Sequence, residues 1–137
     1  SLPEPPTSQP RRTADWQTDA TLWEAAVAIV PDSPRALFTL AKNRLDEKRE
    51  DEALALFDRT VVLWPGYSSA WPEQAAILER RGRSDDALRC YREAVRRNPW
   101  NAEAAESAGR ILFERGRFVE SERFYRRAVR LGRNDLA

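Results

Sequence analysis

Carboxylates, arginines and tyrosines are the only side chains with which this sequence could do chemistry. It contains no histidine, so the usual proton carrier near neutral pH is missing. Its one cysteine, Cys90, has no second thiol for a disulfide or a zinc cluster. Neither a Ser–His nor a Cys–His nucleophilic pair can be assembled. No GxxxxGK[ST] or GxGxxG loop is present to cradle phosphates. What remains is concentrated in stretches such as "GRSDDALRCYREAVRRNPWN", Gly82 to Asn101. A carboxylate-only enzyme needs convergent Glu or Asp side chains in a deep pocket, and nothing in the spacing predicts one. The expectation is a chain without catalytic residues, cofactor or metal.

The elements that carry these residues repeat. Trp23, Phe57, Tyr91 and Tyr125 follow one another at intervals of 34 residues. Four residues later the same stride reads Val27, Val61, Val95 and Val129. Between them lie Ala26, Thr60, Ala94 and Ala128, and the closing column reads Pro31, Pro65 and Pro99 before failing at Arg133. Each full unit reads as two antiparallel helices. In the middle one, Ser68 or Ser69 caps a first helix that carries Trp71 and Leu78 and breaks at Gly82. Ser84 caps a second, with Ala87, Tyr91, Ala94 and Val95 on one stripe. Helices are expected over 18–30, 34–46, 50–64, 68–81, 84–97, 102–114 and 118–131, the last closed by Gly132. A 34-residue unit cannot bury its apolar stripe alone, so neighbours must stack.

This pattern resembles the tetratricopeptide repeat family over about Trp16 to Leu131. The family pattern W-x2-L-G-x2-Y, A-x3-F, P is met unevenly. The middle unit supplies Trp71, Ala75, Leu78, Ala87, Tyr91 and Pro99, with Gln74 in the leucine place. The unit before it has Leu37, Leu40, Ala41, Ala53, Phe57 and Pro65, with Arg44 where tyrosine is usual. The unit after it has Ala105, Ala108, Gly109, Leu112, Ser121 and Tyr125. The resemblance implies an all-α fold, a right-handed superhelical stack of helix pairs (an α-solenoid). Its expected division is a Pro-rich linker or disordered lead at 1–14, a half repeat at 15–33, and full repeats at 34–67, 68–101 and 102–137.

It also implies a non-catalytic scaffold that binds a protein or peptide in a concave groove lined by the first helices. By position that groove would show Arg35, Phe38, Lys42 and Leu45, then Glu73 and Glu79, then Glu103, Glu106, Arg110 and Phe113. The carboxylate clamp by which some members hold chaperone tails falls here on Phe38, Lys42, Glu73, Glu103 and Ser107, which is the wrong chemistry. The string "RRTADWQTDATLWEAAVAIVPDSPRAL" further resembles the junction in membrane-bound glycosyltransferase-like proteins that carry a tetratricopeptide tail. Arg12, Trp16, Asp19, Leu22, Trp23, Pro31 and Arg35 carry that likeness. The alternative it implies is a regulatory or substrate-docking tail, periplasmic or extracytoplasmic rather than cytoplasmic.

The composition bears on partners. A net charge of +1 argues against a nucleic-acid binder, and no apolar run is long enough to insert in a membrane. No methionine is present, and the chain reads as a fragment of a longer protein. Arginines recur with the period, Arg89 with Arg123, Arg92 with Arg126 and Arg96 with Arg130, and read as a solvated outer face tempered by Glu93, Glu120 and Glu122. Cys90 follows Leu56 and precedes Phe124 by one period, which makes it a small packing residue. With no polar capping helix after the last unit, Phe118, Phe124 and Leu131 are expected to form an apolar face that pairs two copies.

Overall fold

A computed structural model describes residues 21–29 and 31–136, the side chains of 133–136 excepted. The lead at 1–14 and three carriers of the junction resemblance, Arg12, Trp16 and Asp19, lie outside the described residues. Within them every regular element is a helix: α1 (21–29), α2 (Pro34–Asp46), α3 (Glu50–Leu63), α4 (Ala70–Arg80), α5 (Ser84–Arg97), α6 (Ala102–Glu114) and α7 (Phe118–Leu136). The chain divides into two compact units, one ending at Arg59 and one running from Thr60 to Ala137.

In the first unit, Ser33 caps α2 by accepting the Ala36 N–H, and Pro34 takes the first helical position, where its missing N–H is harmless. Ala36, Leu37, Leu40 and Ala41 of α2 and Ala53, Leu54 and Phe57 of α3 form the core. Arg44 is buried with them. Its guanidinium meets Glu24 of α1, Glu47 of the turn and Glu52 of α3 at 3.2–3.3 Å. The departure from the repeat pattern at this position is therefore an ion cluster that ties α1 to α2 and α3.

In the second unit, α4, α5, α6 and α7 pack in chain order. Ala70, Ala75, Ile77 and Leu78 of α4 meet Ala87, Leu88, Cys90, Tyr91, Ala94 and Val95 of α5 in the core. Cys90 is buried, with its Sγ 3.4 Å from Gln74 Oε1, as a packing residue should be. Ala104, Ala105, Ala108, Ile111 and Leu112 are the buried face of α6, which Asn101 caps through the Ala104 N–H. Between α6 and α7 the approach is close. Buried Ser121 donates to the Gly109 carbonyl at 2.7 Å, and a Cβ on Gly109 would stand 3.2 Å from the Tyr125 ring.

Two expectations about helix ends need correcting. Neither Ser69 nor Ser84 makes a capping hydrogen bond; Ser84 is already helical, and Arg83 stands at the cap with its guanidinium on Asp86. Asp85 and Asp86 in the first turn complement the helix dipole instead. Nor does Gly132 stop α7, which continues to Leu136. The earlier second helices end two residues before Pro65 and Pro99, which lack the N–H needed to continue. Arg133, in the corresponding place, supplies one.

The turns between paired helices follow one design. Lys48, Gly82 and Gly116, spaced by the period, all have left-handed backbone, with φ of 63°, 78° and 77°. Each donates its N–H three residues back, and the following residue donates five back: Arg49 to Arg44, Arg83 to Leu78, Arg117 to Leu112. This Schellman closure favours glycine, and a side chain there costs about 1–2 kcal/mol. Replacing Lys48 with Gly should raise the free energy of unfolding by roughly 0.5–1 kcal/mol, and Gly116→Ala should lower it by about 1 kcal/mol, both read by chemical denaturation.

Candidate peptide-binding surface

The residues expected to face a ligand fall in two sets, one in each unit. On α2, Arg35 is exposed while Phe38, Lys42 and Leu45 are half-buried. Phe38 meets Phe57 edge-on, with ring centroids 5.7 Å apart, and so packs within its own unit. In the second unit, Glu103 and Glu106 are exposed on α6, and Glu73 is half-buried on α4.

Glu79 and Arg110 are brought together. The Arg110 guanidinium of α6 pairs with Glu79 Oε2 of α4, and the Tyr91 hydroxyl of α5 donates to Glu79 Oε1 at 3.2 Å. The hydrogen bond from Arg110 holds the Glu79 carboxyl below the ordinary carboxylate range. Burial, reinforced by the Glu79 charge, pushes the Tyr91 phenol up. None of the three titrates near neutrality, so the cluster offers no proton donor or acceptor there. It is a tie across α4, α5 and α6, and it occupies two of the groups expected to meet a ligand.

Phe113, one period after Glu79, has a different environment. It is 56% exposed and stands edge-on to Phe118 at 5.2 Å. The two phenylalanines, Tyr125 and Val129 line an open groove of about 750 Å³ along α6 and α7, bordered by Ser121, Glu122, Arg126 and Arg130. Shifted back by the period, these residues become Glu79, Ser84, Ala87, Leu88, Tyr91, Arg92, Val95 and Arg96. In the preceding helix pair that surface is covered, because α6 packs on α5 there. Val95 is 7% exposed, whereas Val129 is 52% exposed. The open groove is thus the surface on which this fold seats its next first helix.

The apolar end face expected from Phe118, Phe124 and Leu131 does not exist as one surface. Only Phe118 lines the groove. Phe124 lies in a separate cleft between α5 and α7, and Leu131 in a recess with Pro99 and Trp100. At 100° per residue, positions 124 and 131 fall on one face of α7, about 120° away from position 118. The stripe 118, 121, 125 and 129 was available in the sequence at helical spacing and identifies the groove.

A family model for the tetratricopeptide repeat matches residues 18–68 and 73–135. The chain belongs to the tetratricopeptide repeat family. Solved structures agree on the fold. A crystal structure of MamA protein superposes with a TM-score of 0.73 at 17% identity, covering 88% of this chain and 66% of that one. MamA AMB-1 gives 0.72 at 19% identity, covering 89% and 67%. A further MamA structure matches over 98% of this chain and 99% of its own, with a TM-score of 0.62 at 14% identity. The chain thus spans just under two thirds of the first of these. No curated protein matches it. The shared fold is the all-α tetratricopeptide solenoid, and its family role is protein interaction. Among the described residues, no helix is long and apolar enough to cross a membrane.

If the Glu79–Arg110 tie supports the surface, Glu79→Gln should destabilise the fold at neutral pH by about 1 kcal/mol, a modest figure because Arg110 is partly exposed. A carboxyl with a lowered folded pKa stabilises above its unfolded value and loses that contribution as pH falls through the folded one. The difference between parent and variant should therefore shrink below about pH 4 in denaturation series.

Proposed function

We propose that this chain is a non-catalytic protein-binding module whose second unit holds an amphipathic helix of a partner in the groove of α6 and α7. One observation carries the reading: the groove occupies, one period later, the position of the surface that α6 covers inside the fold, yet Val129 stands open where Val95 is buried. The ligand is accordingly a helix with small side chains where it nears Ser121, and a larger apolar one against Phe113 and Phe118. The Ala104, Ala105, Ala108, Ile111 and Leu112 face of α6 is the template for it. Buried aromatic anchors supply most of the energy, and Glu122, Arg126 and Arg130 on the rim set orientation. Glu103 and Glu106, exposed on α6, extend the surface, and Arg35, Phe38, Lys42 and Leu45 are the corresponding positions of the first unit.

Affinity capture with the chain as bait, followed by titration of the recovered partner, tests this. Phe113→Ala should weaken that partner by about 1–3 kcal/mol, while Arg89→Glu, outside the groove, should leave it unchanged. A partner indifferent to Phe113→Ala and to Val129→Glu would place binding elsewhere. Two copies pair through Phe113, Phe118, Tyr125 and Val129, which form a patch able to meet itself across a two-fold axis. Sedimentation equilibrium at high concentration should show a dimer that Val129→Glu converts to monomer.

A further inference from the structure

The cleft between α5 and α7, about 560 Å³, is walled by guanidinium groups. Arg92 and Arg96 stand on the α5 side, one helical turn apart. Arg123, Arg126, Arg127 and Arg130 line the α7 side. Against these six charges the lining offers one carboxylate, Glu120, which Arg92 engages at 2.9 Å and Arg117 also shares. Arg96 is paired with Glu93, and Arg126 with Glu122. The other three have no ion pair among the described residues; Arg127 reaches only the Pro99 carbonyl, at 3.5 Å. Positions 123, 127 and 130 are spaced by four and three residues, so three cations without an ion pair among the described residues run along one face of α7 for about 10 Å. Val95 and half-buried Phe124 give the cleft an apolar floor, and beyond it Trp100, 77% exposed, opens the recess with Leu131.

A solvated arginine face carries its own acids at helical spacing, as Arg96 and Arg126 do here. The α7 row has only Glu120, three residues before Arg123 and taken by Arg92 and Arg117, although the whole chain is nearly neutral with 23 basic and 22 acidic residues. The imbalance is local, and it coincides with a concavity. We infer that this cleft binds an acidic helical segment of a partner protein, with carboxylates repeating every three to four residues to meet Arg123, Arg127 and Arg130 and an apolar side chain between them seated on Val95 and Phe124. Carboxylates at that spacing match the rise of α7 residue for residue. Arginine suits them because its planar fork binds a carboxylate through two parallel hydrogen bonds. A net charge of only +1 over the whole chain favours a peptide over a nucleic acid. This site is separate from the α6–α7 groove in its floor and in its chemistry, although Arg126 and Arg130 stand on the ridge between the two.

The test uses a fluorescein-labelled helical peptide of glutamate and leucine, glutamates at the three-to-four spacing, with its glutamine counterpart and a single-stranded oligouridine as comparators. Fluorescence anisotropy on the whole chain should give the glutamate peptide at least about tenfold tighter binding than the glutamine one, weakening steeply with added salt. Arg123→Glu with Arg127→Glu, two exposed positions that do not line the apolar groove, should reduce the affinity at least about tenfold. Phe113→Ala and Arg89→Glu should not change it. Where charge reversal disturbs the fold by circular dichroism, Arg123→Gln with Arg127→Gln gives the same reading with a smaller loss. Equal binding of the two peptides overturns the proposal, as does indifference to the Arg123 and Arg127 variants. Oligouridine binding tighter than the glutamate peptide and displacing it would assign the cleft to nucleic acid.

Discussion

The structure depends on how closely two helices of a pair can approach. Each pair brings a small residue of its first helix against a small residue of its second, with an aromatic ring filling the space beside them. The sets are Ala41, Ala53 and Phe57 in the first unit, and Ala75, Ala87 and Tyr91, then Gly109, Ser121 and Tyr125, in the second. At the last set the Tyr125 ring lies against Gly109, and Ser121 hydrogen-bonds the backbone that the missing side chain exposes. A larger residue in any of these columns would push the axes apart and open a void that packing forces cannot fill. The left-handed turns at Lys48, Gly82 and Gly116 fold each chain segment back sharply enough for the contact to form.

That geometry has a price on its other side. A helix pair packed this way keeps part of its aromatic and valine columns facing outward, to be covered by the next helix. Tyr91 and Val95 are covered in this manner; Tyr125 and Val129 are not. The period is broken at the same place, because Phe113 replaces Glu79 and stands beside Phe118 where Ser84 would be. The polar tie of Glu79, Arg110 and Tyr91 that closes the internal junction thus gives way to an aromatic pair. An exposed apolar surface of this size is the ground for the proposal that another helix docks there.

Charge is distributed by the same architecture. Several arginines on the second helices find acids within their own turn, as Arg96 does with Glu93, or on the neighbouring second helix, as Arg92 does with Glu120, whereas Arg123, Arg127 and Arg130 have no ion pair among the described residues. Arg44 is the exception that went inward, where carboxylates from three segments surround it. A buried guanidinium needs such partners because the cost of leaving water is recovered only through charged hydrogen bonds.

The amino-acid sequence by itself determined the repeat, the helix pairs and their order. Those follow from the 34-residue stride, the small and aromatic columns and the prolines, all of which act locally or through one repeated contact. The helices over 34–46, 84–97 and 102–114 fall where the pattern puts them. It could not place the caps, since Ser84 and Asp85 are equally plausible in a first turn, and it misjudged Gly132 because an available N–H at Arg133 outweighs a flexible residue before it. Tertiary structure alone decided which charges are spent on each other: Glu79 and Arg110 are 31 residues apart and Arg92 and Glu120 are 28, separations that no helical period encodes. It also parted Phe118 from Phe124 and Leu131, because once neighbouring helices fix the rotation of α7, each side chain can reach only the face toward which its own angle points.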